Sequence, residues 1–142
     1  MTALRHIVAV SLLLTLCTAC KDRKPSKRIL SSTILEISDT SLSSASIPDT
    51  ILLGRVKEGE IILKDVSILN RLNTPLLIKN IETDCGCLLF NFRREPMKPS
   101  ESATFEMSFN SRGYYGRIEK GAAVIFNDKV EKQHFVVVAN VE

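Results

Sequence analysis

Asp84-Cys85-Gly86-Cys87 is the segment of this 142-residue chain best equipped for chemistry. In an extended backbone residues i and i+2 face the same side, so the two sulfurs point together. Four chemistries fit such a pair. A zinc site wants four ligands, commonly from two Cys pairs, and only one pair is present here. His134 as a third ligand and Asp84 as a fourth would have to be brought to it. Two soft thiolates hold Cu(I) at low coordination more readily than Zn, so copper is the favoured metal for Cys85 and Cys87. The second chemistry is a redox dithiol. Closing a disulfide between i and i+2 makes a small strained ring, and strain raises the reduction potential. Gly86 helps if that ring needs backbone angles other residues resist. The third is a structural pair, reduced or bridged, packed at a strand end, and this is the preferred reading. The fourth is capture of a partner's thiol.

Cys20 carries a different chemistry. Arg5 stands ahead of the apolar run Ile7–Cys17, and the small residues Thr18-Ala19 lead into Cys20. A basic start, an apolar core of about 11 residues and a small-residue cleavage site form the pattern of an export signal. The core is shorter than the roughly 20 apolar residues that a permanent membrane helix needs. Thr18-Ala19-Cys20 resembles the bacterial lipobox, although Cys17 stands where that box usually has Leu. Cleavage before Cys20 leaves a cysteine to be lipidated, and Cys85 and Cys87 are then the only thiols of the mature chain.

The remaining chemical candidates are plainer. His134 is the only histidine after such processing. A Ser-His-acid triad would have to use it, and no Gly-x-Ser-x-Gly turn is present to present a nucleophile. Arg93-Arg94-Glu95 reads as a loop charge cluster, with recognition of an acidic ligand as its functional alternative. Tyr114-Tyr115, between Gly113 and Gly116, reads as a hairpin and edge pair rather than a glycan-stacking platform. No phosphate loop, His-Glu metal motif or calcium loop appears. The formal charge is +3, but residues 48–142 carry 13 cations and 13 anions. A neutral folded part argues against nucleic acid, which needs a basic stripe. The excess lies in Lys21, Arg23, Lys24, Lys27 and Arg28, beside the proposed lipid, where each cation gains around 1 kcal/mol at an anionic surface.

The elements that must position these residues are short. Residues 1–19 are read as a lipoprotein signal peptide, 20–48 as a flexible tether and 49–142 as the folded domain. The tether is rich in Lys, Ser, Thr, Asp and Pro and cannot bury enough surface to offset its ordering entropy. Only Ile34–Ile37 hints at a strand there. From Ile51 the pattern changes to strands over 51–56, 60–70, 76–83, 102–109, 118–126 and 135–141. The second shifts phase near Lys64-Asp65, from Ile61 and Leu63 to Val66 and Ile68, which a bulge would explain. Ala103-Phe105-Met107-Phe109 alternates with Ser102, Thr104, Glu106 and Ser108, a period of two with one buried face. Phe105 and Phe109 are the expected centre of the core. About seven short strands, no helix and regular turn signals indicate an all-β sandwich.

On Leu53-Gly54, Val56, Gly59-Glu60, Asn70, Leu76-Leu77-Ile78, Asp84-Cys85-Gly86-Cys87, Pro96, Pro99, Glu101, Phe109, Gly113, Gly116, Val124, Asn127 and the closing Val136–Val141, the chain resembles a known family. It is the bacterial Cys-Gly-Cys domain family of unknown function (DUF1573), found in Bacteroides-type lipoproteins. The likeness spans about residues 51–142. Leu88 and Pro99-Ser100 depart from the family's usual Thr and Pro-Gly at those places. The resemblance implies an immunoglobulin-like sandwich of the MSP/PapD class and carries no catalytic residues with it. The expected function is therefore a non-enzymatic envelope lipoprotein, without a cofactor, that binds an envelope protein or surface polymer through an edge strand or the loops near Cys85 and Arg93. Its expected place is the outer membrane, facing periplasm or cell surface. Thiol redox or copper handling by Cys85 and Cys87 is the alternative.

Overall fold

A computed structural model describes residues 25–37, 49–127 and 132–142. The signal peptide over 1–19 and the lipidation residue Cys20 lie outside the described residues. Eight strands run in chain order: β1 (Lys27–Ile37), β2 (Asp49–Val56), β3 (Ile61–Asn70), β4 (Ile78–Thr83), β5 (Leu88–Asn91), β6 (Ser102–Asn110), β7 (Gly116–Phe126) and β8 (Gln133–Val141). They form two four-stranded sheets, ordered β1-β3-β6-β5 and β2-β8-β7-β4. This is an immunoglobulin-like β-sandwich. Alternation dictates the core: Phe105, Met107 and Phe109 of β6 face Phe135, Val137, Ala139 and Val141 of β8 across the interior, all of them buried. Phe90 of β5 links the layers, with its ring edge-on to Phe105 at 5.7 Å and to Phe135 at 6.0 Å.

Part of the stretch read as a tether is strand instead. β1 pairs in parallel with β3, from Lys27 beside Ile61 to Ile37 beside Asn70. Leu35 and Ile37 reach the core, while Ile29 and Ile34 face outward. The alternation is hard to see in the sequence because it slips once. Leu30 pairs with Lys64 and Thr33 with Val66, so Ser31 and Ser32 share the single opposing residue Asp65. Two residues against one is a β-bulge, and the bulge expected in β3 therefore belongs to its neighbour. β3 itself runs without interruption against β6, which puts Ile62, Lys64, Val66 and Ile68 on one inward phase. Lys64 occupies a core position, and its ammonium donates to the Ser31 carbonyl at the bulge. A polar residue at an inward position made the pattern look shifted.

β2 joins the other sheet at its edge, in parallel with β8, with a register shift between Leu52 and Gly54. Gly54 has φ +71°, a left-handed conformation that favours glycine at such a bulge. The 70–76 and 97–101 loops close over a buried amide. The Asn70 side chain donates to the carbonyls of Thr74 and Met97, at 2.9 and 3.2 Å, and its oxygen accepts from the Leu72 amide at 3.0 Å. Leu76 and Met97 then pair in both directions, N–H to carbonyl at 2.9 and 2.8 Å. Replacing Asn70 by Ala strands these buried groups, and the expected loss is about 2–3 kcal/mol. Urea denaturation of the two proteins measures it; a loss below about 0.5 kcal/mol would show that the loops find other partners.

Candidate functional site

Asp84-Cys85-Gly86-Cys87 is the connection from β4 to β5, and it crosses between the sheets at their open edges. Cys85 and Cys87 are joined by a disulfide, with their Cα atoms 5.2 Å apart. Cys87 is 8% exposed and belongs to the core; Cys85 is half-buried and packs against it. Both sheets hold the loop. On one side the Asp84 amide donates to the Gly121 carbonyl at 3.2 Å, and the Gly121 amide donates to Asp84 Oδ2 at 2.8 Å. On the other the Asn110 amide donates to the Cys87 carbonyl at 2.9 Å. The Thr83 hydroxyl donates to the Cys85 carbonyl at 2.6 Å, closing the turn from within.

Asp84 thus extends the β4–β7 ladder by one rung with a side chain in place of backbone. That explains Gly121: a Cβ there would stand 3.3 Å from Asp84 Oδ2. Gly86 differs from expectation. It lies outside the left-handed region, and a Cβ added to it would meet nothing within 4 Å. The turn therefore makes no special conformational demand at Gly86.

The proposed metal donors do not assemble with the pair into a site. Asp84 and His134 both line a shallow depression on the outer face of β4, β7 and β8, floored by Gly121, Ala123 and Val136. Asp84 is engaged by Gly121, and Glu82 beside it pairs with Lys132 at 2.8 Å. Among the described residues, no three His, Cys, Asp or Glu side chains come together as a metal site would require. In the disulfide neither sulfur is a thiolate, so soft-metal binding needs prior reduction.

Beyond the disulfide the chain enters β5, a four-residue edge strand that the sequence shows only as an apolar run. Leu88 is buried and Phe90 half-buried, whereas Leu89 points to solvent, 66% exposed. One side of β5 pairs with β6, Leu88 beside Phe109 and Phe90 beside Met107. The other side of the strand is the edge of its sheet. After it come half-buried Phe92, with the Arg94 guanidinium 5.9 Å from its ring centre, and a groove lined by Arg93, Glu95, Met97, Glu101, Ser102 and Thr104. The disulfide, β5 and the Arg93-Arg94 pair are consecutive in sequence and continuous in space. His134 stands apart from them on the outward face of β8, opposite Ala123. Tyr114 packs on Phe109, ring centres 6.2 Å apart, while Tyr115 is exposed just ahead of β7.

A family model described as "Protein of unknown function (DUF1573)" matches residues 47–141. No curated protein matches the sequence. Among solved structures, a protein of unknown function from Porphyromonas gingivalis W83 is similar over 66% of this chain and 44% of its own, at 20% identity and a TM-score of 0.56. The PapD-like domain 7 of human CEP192, an ASH/PapD-like domain, is similar over 68% of this chain and 82% of its own, at 9% identity and a TM-score of 0.55. The Vibrio cholerae VesB protease is similar over 66% of this chain and 30% of its own, at 12% identity and a TM-score of 0.51. The chain thus spans less than half the length of the P. gingivalis and V. cholerae proteins. These likenesses show a shared sandwich fold of the immunoglobulin and PapD type.

Proposed function

The chain belongs to the DUF1573 family of proteins of unknown function, and from that premise we propose that it is a non-enzymatic lipoprotein of the bacterial envelope that docks another protein on its β5 edge. The observation that carries the docking site is the arrangement of β5. An edge strand offers unpaired N–H and C=O groups, and an extended segment can add to it by main-chain hydrogen bonds. Leu89 and half-buried Phe90 and Phe92 supply apolar contact, while Arg93 and Arg94 favour an acidic partner. The disulfide fixes the start of β5 against both sheets, so the edge is held ready for a partner strand. Preorganisation of this kind lowers the ordering cost of association.

The anchor is Cys20, supported by the short apolar leader and the Thr18-Ala19-Cys20 box. Radiolabelled palmitate should enter the protein in its native host and be lost in Cys20→Ala; undiminished labelling of the variant refutes the anchor. The docking edge is tested separately. A photocrosslinking residue placed at Leu89 should capture a recurrent acidic envelope protein in living cells. One at exposed Leu52, on the other sheet, should not. Equal capture at both places, or none at Leu89, removes β5 as the site. A surface polymer as ligand would instead leave a non-protein adduct.

The disulfide favours one second reading, thiol exchange. A partner thiolate attacks Sγ of Cys85, the more exposed of the two residues, forms a mixed disulfide and releases the Cys87 thiolate. A folded Cys85→Ser/Cys87→Ser variant separates the two readings, because docking on β5 is weakened in it but persists, whereas thiol exchange is abolished.

A further inference from the structure

β1 changes what lies between the domain and a lipid at Cys20. With the strand docked on β3, only residues 21–26 separate Cys20 from Lys27. At roughly 3.3–3.6 Å per residue the separation is at most about 25 Å. Were residues 20–48 all tether, the same geometry would allow about 100 Å to Asp49. The docked strand also chooses which end of the sandwich faces the bilayer. Lys27 is beside Ile61, Ile61 is beside Asn110, and Gly116 is beside Val141. The 57–60 and 111–115 turns therefore lie at the end where β1 begins.

That end is basic. Lys27, Arg28, Arg55, Lys57, Arg112 and Arg117 cluster there, against Glu58, Glu60, Glu119 and Glu142. Two of the cations are spoken for: Arg28 pairs with buried Glu60 at 3.4 Å, and Arg117 with Glu119 at 2.7 Å. Glu58 accepts from the Gly113 amide at 2.8 Å. Lys27, Arg55, Lys57 and Arg112 are exposed and make no ion pair among the described residues. Two large apolar side chains are also exposed here, Ile29 at 76% and Tyr115 at 72%, the latter just ahead of β7. An aromatic ring with a polar handle is the side chain that settles at headgroup level. Lys21, Arg23 and Lys24, with Asp22 among them, fill the short connection with further positive charge.

We propose that this end of the sandwich is a membrane-facing surface for anionic phospholipid headgroups, held against the bilayer by the six-residue connection that docking of β1 creates. The proposal rests on the lipid at Cys20 proposed above. The disulfide then lies at the membrane-proximal corner of the domain, since the Cys87 carbonyl accepts from the Asn110 amide, and the β5 edge runs from it away from the bilayer, from Leu88 beside Phe109 to Asn91 beside Glu106.

The test uses the mature, lipidated protein in vesicles of phosphatidylglycerol and phosphatidylcholine carrying a headgroup quencher. A fluorophore on Tyr115→Cys is quenched several-fold more than one on Lys98→Cys, in the loop at the far end. Equal quenching at both positions overturns the orientation. An anchor-free measurement uses mature Cys20→Ser protein and sedimentation with vesicles. It binds phosphatidylglycerol-containing vesicles more tightly than pure phosphatidylcholine; Arg112→Gln weakens this by about five-fold and Lys98→Gln leaves it unchanged. Indifference to phosphatidylglycerol, or the same loss from Lys98→Gln, overturns the surface. Palmitate labelling reads the anchor independently. An unlabelled Cys20 with the phosphatidylglycerol preference intact ends the anchor reading and keeps the surface.

Discussion

Phe105→Ala should lower the unfolding free energy by about 3–5 kcal/mol, the range for removing a fully buried phenyl group. The side chain is 1% exposed, and its ring meets Phe90 edge-on at 5.7 Å. Phe90 in turn meets Phe135 of the opposite sheet at 6.0 Å. Truncation therefore removes the first ring of a chain of three that ties the sheets together. The surrounding side chains can collapse only partly into the space, because Val66 and Met107 are held by the β3–β6 ladder. Phe90 is the neighbour most able to move, being half-buried on a four-residue edge strand, and its movement would disturb the proposed docking edge. Urea denaturation should show a lower midpoint at unchanged m-value. A difference under 1 kcal/mol would mean that Phe105 is not at the centre of the core.

The sandwich was legible wherever one face is apolar and the other polar without interruption. β6 is the clearest case, with Ala103, Phe105, Met107 and Phe109 inward and Ser102, Thr104, Glu106 and Ser108 outward. β8 was found through its run of valines. Legibility failed where tertiary contacts rather than period decide. β1 is rich in Ser and Thr, and its bulge at Ser31-Ser32 breaks the alternation between Leu30 and Leu35. Lys64 hides an unbroken strand, because its inward position is satisfied by a carbonyl 33 residues away in sequence. β5 is too short for periodicity to show. The Cys-Gly-Cys segment stood out by composition, and its place between two sheet edges could not be read without the fold. The Asp84–Gly121 clasp is of the same kind: nothing in a lone Gly121 points to a carboxylate 37 residues earlier.

Ile37→Ala is the sharpest test of β1, with an expected loss of about 2–4 kcal/mol for a fully buried Ile truncated to Ala. Ile37 is fully buried, and its carbonyl accepts from the Arg71 amide at 2.8 Å. The adjacent Glu36 pairs with Arg71 at 3.1 Å, but both side chains are half exposed or more, and such a pair adds little. Burial of Leu35 and Ile37 therefore supplies most of the docking free energy at this end of the strand. The loss has a ceiling. If β1 can leave the sheet while the rest stays folded, truncation cannot cost more than the docking free energy of β1. Ile29→Ala is the internal control, because Ile29 lies on the same strand and faces solvent, so its loss should stay within about 0.5 kcal/mol. Comparable losses from the two variants would show that β1 does not pack as a strand. Hydrogen exchange distinguishes detachment from global weakening. Faster exchange of the Arg71 amide in Ile37→Ala, with the β6–β3 amides still protected, marks a strand that detaches alone. A domain anchored at Cys20 would then gain reach in the same step, since residues 21–48 in place of 21–26 would separate it from the bilayer.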